Sequence, residues 1–171
     1  QLRIAVADSV LSASGDRAPH GDVTASGVLT LGDLESFRSL ATLPIDGSAE
    51  LSWQVLAADG GVTLSADGTV TEPRSGIPEL DAVFSDTAEI AAEVTSLPDG
   101  TIDVGNVRVA SGANLLTGTV RLVGDRIVSD WNLSVPGIAP VAAVAGAAAD
   151  GNLSASGRVE GPLDRLSLRA D

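Results

Sequence analysis

A chain of 171 residues with a net charge of −13, whose ten basic residues are all arginine, has no cationic cluster with which to grip a phosphate backbone or an anionic lipid surface. It has no cysteine, which excludes disulfides, thiolate metal sites and a thiol nucleophile. Hydrophobic residues make up 44% of the chain and aromatic ones only 2%, so its apolar content is Ala, Val and Leu, which suits a thin layer or an open apolar surface better than a thick core built on rings. The length allows one domain with a sizeable buried surface. Gln1 at the start and the lack of any Met lead us to expect an excised piece of something longer. The longest apolar run, Ile138 to Ala149, is interrupted by Pro140 and is too short to cross a bilayer.

In chain order, Leu2, Ile4 and Val6 alternate with other residues, as do Val23, Ala25, Gly27, Leu29 and Leu31; period-2 alternation predicts strands with two unlike faces. Leu34, Phe37, Leu40 and Ala41 change to helical spacing and predict a short helix over 34–41. Ala49, Leu51, Trp53 and Val55 form the next strand. Val62, Leu64, Ala66 and Val70 return from it as a hairpin after Gly60-Gly61. Ile77, Leu80, Val83 and Phe84 predict a second helix over 77–84, ahead of a strand in which Ile90, Ala92 and Val94 alternate with Glu89 and Glu93. Ile102 and Val104 change phase at Gly105-Asn106 to Val107 and Val109, which predicts a bulge. Val120 and Leu122 lie in one strand, and Ile127, Trp131, Leu133 and Val135 in another. Ile138, Val141, Val144 and Ala145 give a third helix over 138–145, followed by Leu153, Ala155, Gly157 and Val159, and finally by Leu166 to Ala170. Asp-Gly at 46, 59, 67, 99 and 150, and Gly-Asp at 15, 21, 32 and 124, supply the positive φ of tight turns.

The chain repeats itself. A shift of 104 carries the stripe Leu34, Phe37, Leu40, Ala41 onto Ile138, Val141, Val144, Ala145, and Asp46-Gly47 onto Asp150-Gly151. With one residue of slippage, Ile4, Val6 and Gly15 fall on Val107, Val109 and Gly118. A third copy of the helix stripe, Ile77 to Phe84, lies between these. Helices this short need a packing partner, and the sheet is the partner expected. Units of roughly 1–57, 58–98 and 99–171 read as segments of one elongated, repetitive β domain.

Catalytic chemistry finds no constellation here. His20 is the single histidine, in a turn-like stretch, and no serine sits in a nucleophile elbow. Glu89 and Glu93 share one face of an alternating strand, which reads as a solvated face rather than a glycosidase pair. The Asp-Gly turns lack the spacing of calcium-binding repeats. Trp53 and Trp131 fall on the apolar phase, where packing against a helix stripe is the plain expectation and contact with acyl chains the sharper one.

From Leu133 to Ala170 the pattern is a strand ending Leu-x-Val, a short apolar helix, Asp-Gly, then Leu-x-Ala-x-Gly-x-Val-x-Gly-Pro-Leu-Asp and a further strand. This resembles the TamB family, the inner-membrane component of the translocation and assembly module within the AsmA-like superfamily. The upstream stretch VRVASGANLLTGTVRLVGDRIVSDWNLSV is in the same style, so that, with the repeats, the resemblance extends over most of the chain. It implies an all-β fold: an elongated, strongly curved sheet, or β-taco, open along one side with an apolar interior. It also implies a periplasmic location, a full-length protein anchored in the bacterial inner membrane, a partner barrel of the Omp85 type in the outer membrane, and roles in outer-membrane biogenesis, protein secretion and phospholipid transport. On that reading the residues lining the lipid groove are Leu29, Leu31, Ala49, Leu51, Trp53, Val55, Val62, Leu64, Ile90, Val94, Val120, Leu122, Ile127, Trp131, Leu133, Val135, Leu153 and Val159. No enzyme activity, cofactor or metal is expected, and phospholipid acyl chains are the expected ligand. The alternative is a structural β-solenoid or adhesin-type stalk, whose coils would be of steady length with stacked apolar ladders.

Overall fold

The computed structural model describes residues 1–6, 8–19, 21–35, 46–84, 86–163 and 165–171. Their strands are β1 (Leu2–Val6), β2 (Ser9–Arg17), β3 (Val23–Leu31), β4 (Asp46–Ala58), β5 (Gly61–Arg74), β6 (Thr87–Ser96), β7 (Ile102–Ser111), β8 (Asn114–Val123), β9 (Arg126–Val135), β10 (Leu153–Pro162) and β11 (Ser167–Ala170). Two helices interrupt them, α1 (Pro78–Val83) and α2 (Ala139–Val144). The strands form one antiparallel sheet in strict sequence order, and β1 and β11 remain as its two free edges. The fold is all-β, as the alternation predicts: an open, curved sheet not closed into a barrel.

The turns follow their chemistry at most positions. Asp59 and Gly60, both at positive φ, join β4 to β5 as the mirror-image turn that tight hairpins prefer. Gly124 at positive φ joins β8 to β9. The register of β7 shifts between Val104 and Val107, with Asn106 at a φ of 53°, so the expected bulge is present. Asp67-Gly68 and Gly15-Asp16 are not turns. Gly68 pairs with Leu51 inside β5 and Gly15 with Ala25 inside β2. A Cβ at Gly68 would strike the backbone of β4 at Glu50 and Leu51, so close strand approach, not a turn, requires that glycine.

The predicted helices at 77–84 and 138–145 are found as α1 and α2; of the one expected at 34–41, all beyond Glu35 lies outside the described residues, as does His20. Both helices carry a proline in their first turn, where its missing N–H costs nothing. Ser75 fastens the approach to α1, its backbone N–H and hydroxyl both donating to Asp81 Oδ1 at 2.6 and 2.8 Å. The helices do not pack on the sheet alone: α1 and α2 lie against each other. α1 connects β5 to β6 and α2 connects β9 to β10, so their meeting requires both to lean over the ends of the strands between. The Asn114 amide, at the start of β8, donates to the Val83 carbonyl at 2.6 Å and ties α1 down there.

This end of the sheet holds most of the tightly buried residues. Ser111 and Val135 end β7 and β9 on that side, Ala88 and Ala49 lie one and three residues in from the starts of β6 and β4, and Val83 of α1 is buried with them. Elsewhere the sheet is a single layer. The accessible surface is 10819 Å², where a compact 17.1 kDa protein exposes about 7,800 Å².

The repeat is carried by the hydrogen-bond ladders. Every pair between β3 and β4 reappears between β9 and β10 with both residues raised by 104: Leu31 with Ala49 becomes Val135 with Leu153, and Val23 with Ala57 becomes Ile127 with Gly161. The connections repeat too, with Leu34 N–H donating to Gly47 O at 2.8 Å and Ile138 N–H to Gly151 O at 3.1 Å. For the first two strands the ladder corrects the sequence alignment. Leu2, Ile4 and Ala13 occupy the places of Val107, Val109 and Gly118, a shift of 105. Matching on apolar class slipped by two residues, which leaves every side chain on the same face and so escapes the alternation. Thus β1–β5 correspond to β7–β11, with β6 joining the two sets.

Candidate functional site: the apolar face

Residues directly opposite in an antiparallel ladder point to the same side of the sheet. Following the pairs from β3 to β10 places all eighteen predicted lining residues on one face. Leu29, Leu51, Ile90 and Leu133 fall in one transverse row, and Val55, Leu64, Val94, Val120 and Val159 in another. Most are half-buried although no second layer covers them, and Val62 and Leu64 are 43% and 37% exposed. Val135 and Ala49 are exceptions to an open lining: they are buried at the end where α1 and α2 sit.

Between these two rows runs a third in which small side chains alternate with a few large ones. Across the first half it reads Leu2, Ala13, Gly27, Trp53, Ala66, Ala92. Beyond the β7 bulge it continues as Val107, Gly118, Trp131, Gly157, Ala170. Rows of this kind run perpendicular to the strands, along the length of the sheet. Alanine and glycine hold its places on β2, β3, β5, β6, β8, β10 and β11.

The two tryptophans stand in this file, each laid over a glycine of the adjoining strand. A Cβ at Gly27 would lie 2.7 Å from Cζ2 of Trp53, and one at Gly157 would lie 2.5 Å from Cζ2 of Trp131. The expected packing against a helix stripe is replaced by packing across the ladder, because only a glycine lets an indole lie flat on the sheet. The two rings are five strand steps apart, about 24 Å along the row. The pairing was available in the sequence: the shift of 104 carries Gly27 onto Trp131 and Trp53 onto Gly157. Leu11 and Ala13 were missed because their strand, SVLSASGDR, places Val10 beside Leu11 and hides the alternation.

The other face is dressed with Ser, Thr and charged residues in cross-strand pairs. Arg121 makes two hydrogen bonds to Asp103, at 2.6 and 2.9 Å. Arg158 reaches Glu160 at 3.1 Å and Asp130 at 3.2 Å. Arg108 reaches Glu89 at 3.2 Å, and Ser65 donates to Glu93 at 3.4 Å. The hydrogen bond from Arg121 holds the Asp103 carboxyl below its ordinary range, and the Thr101 backbone N–H does the same for Asp99. These pairs are solvent-exposed and screened, so they set register and solubility more than stability. A hollow of about 480 Å³ on this face is shallow and lined by Ser14, Thr24, Ser26, Gln54, Thr63 and Ser65.

Asp33, Glu35 and Asp46 bring carboxylate oxygens within 4.8 Å of one another. Asp33 accepts the Glu35 N–H and Asp46 the Gly47 N–H, both at 2.8 Å, so turn geometry accounts for where these two lie.

No helix among the described residues is long and apolar enough to cross a membrane. No protein-family model, no curated protein and no solved structure matches the chain.

Proposed function

We propose that this chain is a segment of a lipid-carrying trough of the TamB type, working in the bacterial periplasm between an inner-membrane anchor and an Omp85-type outer-membrane barrel. The observation that supports this reading is the apolar face, continuous through all eleven strands and uncovered except at one end. The strands span about 30 Å across the apolar face, room for acyl chains lying along it. Each buried CH₂ contributes about 0.8 kcal/mol, and a lining of Leu, Val, Ala and Gly holds a chain by area rather than by shape. Such a surface binds without locking, as a conduit requires. In this reading the charged face keeps the sheet soluble, and the work is done by a surface rather than by a catalytic group. The stalk alternative draws no support from the pairing, which is antiparallel throughout, whereas solenoid coils stack in parallel.

The test is photo-crosslinking from Leu51, Leu64 and Leu133 in the presence of phospholipid vesicles, with Ser52, Ser65 and Ser134 as opposite-face controls. Lipid adducts confined to the three leucines, together with phospholipid retained in native mass spectrometry, are the expected result. Adducts absent from the leucines, or equally frequent at the serines, overturn the reading.

A further inference from the structure

The four buried strand residues at the helix-bearing end fall in one transverse row. Followed through the pairs, it runs Ala49, Val70, Ala88, Ser111, Asn114, Val135. Residues of one row share a face. The Asn114 amide that donates to the Val83 carbonyl therefore rises from the apolar face and sets α1 over it. Val135 is 1% exposed and Ala88 3%, with no second sheet to cover them. The cover is α1 and α2, which lie against each other across the ends of β6 to β9. Each of those four strands has a neighbour on both sides.

At the other end of the same strands a row on the same face runs Val23, Ala57, Val62, Ile102, Leu122, Ile127. Short turns finish this rim, and no helix among the described residues stands over it. Val23 is 39% exposed, and Asp59, Asp125 and Arg126 in the adjoining turns are exposed too. Ala57 comes eight residues after Ala49, and Ile127 eight before Val135, so about 26 Å of strand separates the dry row from the wet one. One leaflet of a bilayer, headgroups included, is about 20–22 Å deep. A charged headgroup pressed against Ala88 and Val135 would lose its water and gain no partner, at a large cost. The last methylenes of an acyl chain gain from the same burial.

We propose that α1 and α2 stop one bank of the trough, so that lipid enters and leaves by the short-turn bank and lies along the strands in one sense. Chain ends point toward Ala88 and Val135, and the headgroup sits at the rim of Val62 and Leu122. The inference rests on the lipid reading above and adds a mouth and a polarity to that site. With a covered end and an open end on every strand from β6 to β9, successive lipids are oriented alike and keep their headgroups on one bank.

The probe is a phosphatidylcholine carrying a diazirine on one acyl chain, either at the methyl end or next to the carboxyl. It is mixed into phosphatidylcholine vesicles and photolysed with the whole protein, and adducts are mapped by peptide mass spectrometry. The methyl-end label should be enriched several-fold around Ala88 and Val135, and the carboxyl-end label around Val62, Ile102 and Leu122. Ala142→Pro removes the bond from the Ala142 N–H to the Ile138 carbonyl and unravels α2 without touching the ladder. The two labels should then reach Val135 about equally. Equal or reversed patterns in the wild type, or a bias that Ala142→Pro leaves unchanged, overturn the inference while lipid binding stands. Adducts at neither row, with either label, overturn the lipid reading itself and this inference with it.

Discussion

The β3–β4 and β9–β10 ladders match pair for pair, yet the tryptophan has changed strands between them. In the first it stands on β4 over Gly27, in the second on β9 over Gly157. What is kept is the pair: one indole, one glycine, directly opposite, in the same transverse row. Two adjoining strands share the space of one indole, and either can supply it. Position along the sheet is thus set by the ladder, while residue identity is free to pass across it. This is how close packing works when a single neighbour, not a core, is the partner.

The strongest way to break the comparison is Gly157→Val. Its Cβ would meet the Trp131 ring at 2.5 Å and the Arg169 carbonyl oxygen at 2.7 Å. We expect a loss of about 3 kcal/mol in chemical denaturation. The sharpest test is exchange: Gly157→Trp with Trp131→Gly turns the second ladder into a copy of the first. Gly157→Trp alone should be severely destabilising, and the second change should return about 1–3 kcal/mol of coupling energy in a double-mutant cycle. Trp53→Ala removes a half-buried ring from over Gly27 and should cost about 2 kcal/mol, with tryptophan fluorescence then reporting on Trp131 alone.

The smallest effect belongs to the charged face. The Asp103 carboxyl is held below its ordinary value of 3.8 by Arg121. A depressed folded-state value means that its contribution is present above that pH and is lost as pH falls through the folded value. Asp103→Asn should therefore flatten the acid limb of the stability curve and leave the neutral region nearly unchanged, with added salt shrinking even that difference. An acid limb identical to the wild type would remove the pair from any account of stability.

Alternation made the apolar face legible before any coordinates. It works because a strand has only two faces and a soluble sheet marks them differently. Ten of the strands carry that mark. β2 does not, because Leu11 is the single large apolar side chain it places on the apolar face and Val10 is its neighbour. Asp67-Gly68 carried the wrong mark: the dipeptide is a turn when both residues need positive φ, but here the glycine is required by the backbone of β4 beside it. The shift of 105 rather than 103 was hidden because a two-residue slip preserves every facing. The meeting of α1 and α2 was illegible for another reason. It depends on how far the sheet bends between β6 and β9, and local periodicity does not record curvature.

The correspondence of β1–β5 with β7–β11 makes the repeating unit six strands long, and six is even. In an antiparallel sheet, direction reverses at each strand, so an even unit ends heading the way it began. The connection tied by Leu34 to Gly47 and the one tied by Ile138 to Gly151 therefore leave from the same rim. A unit of five or seven would have placed them on opposite rims. Parity gives the sheet two inequivalent banks: one carries α1, α2 and the long connections, while the other is finished with short turns, and any number of further units would lengthen both banks without exchanging them.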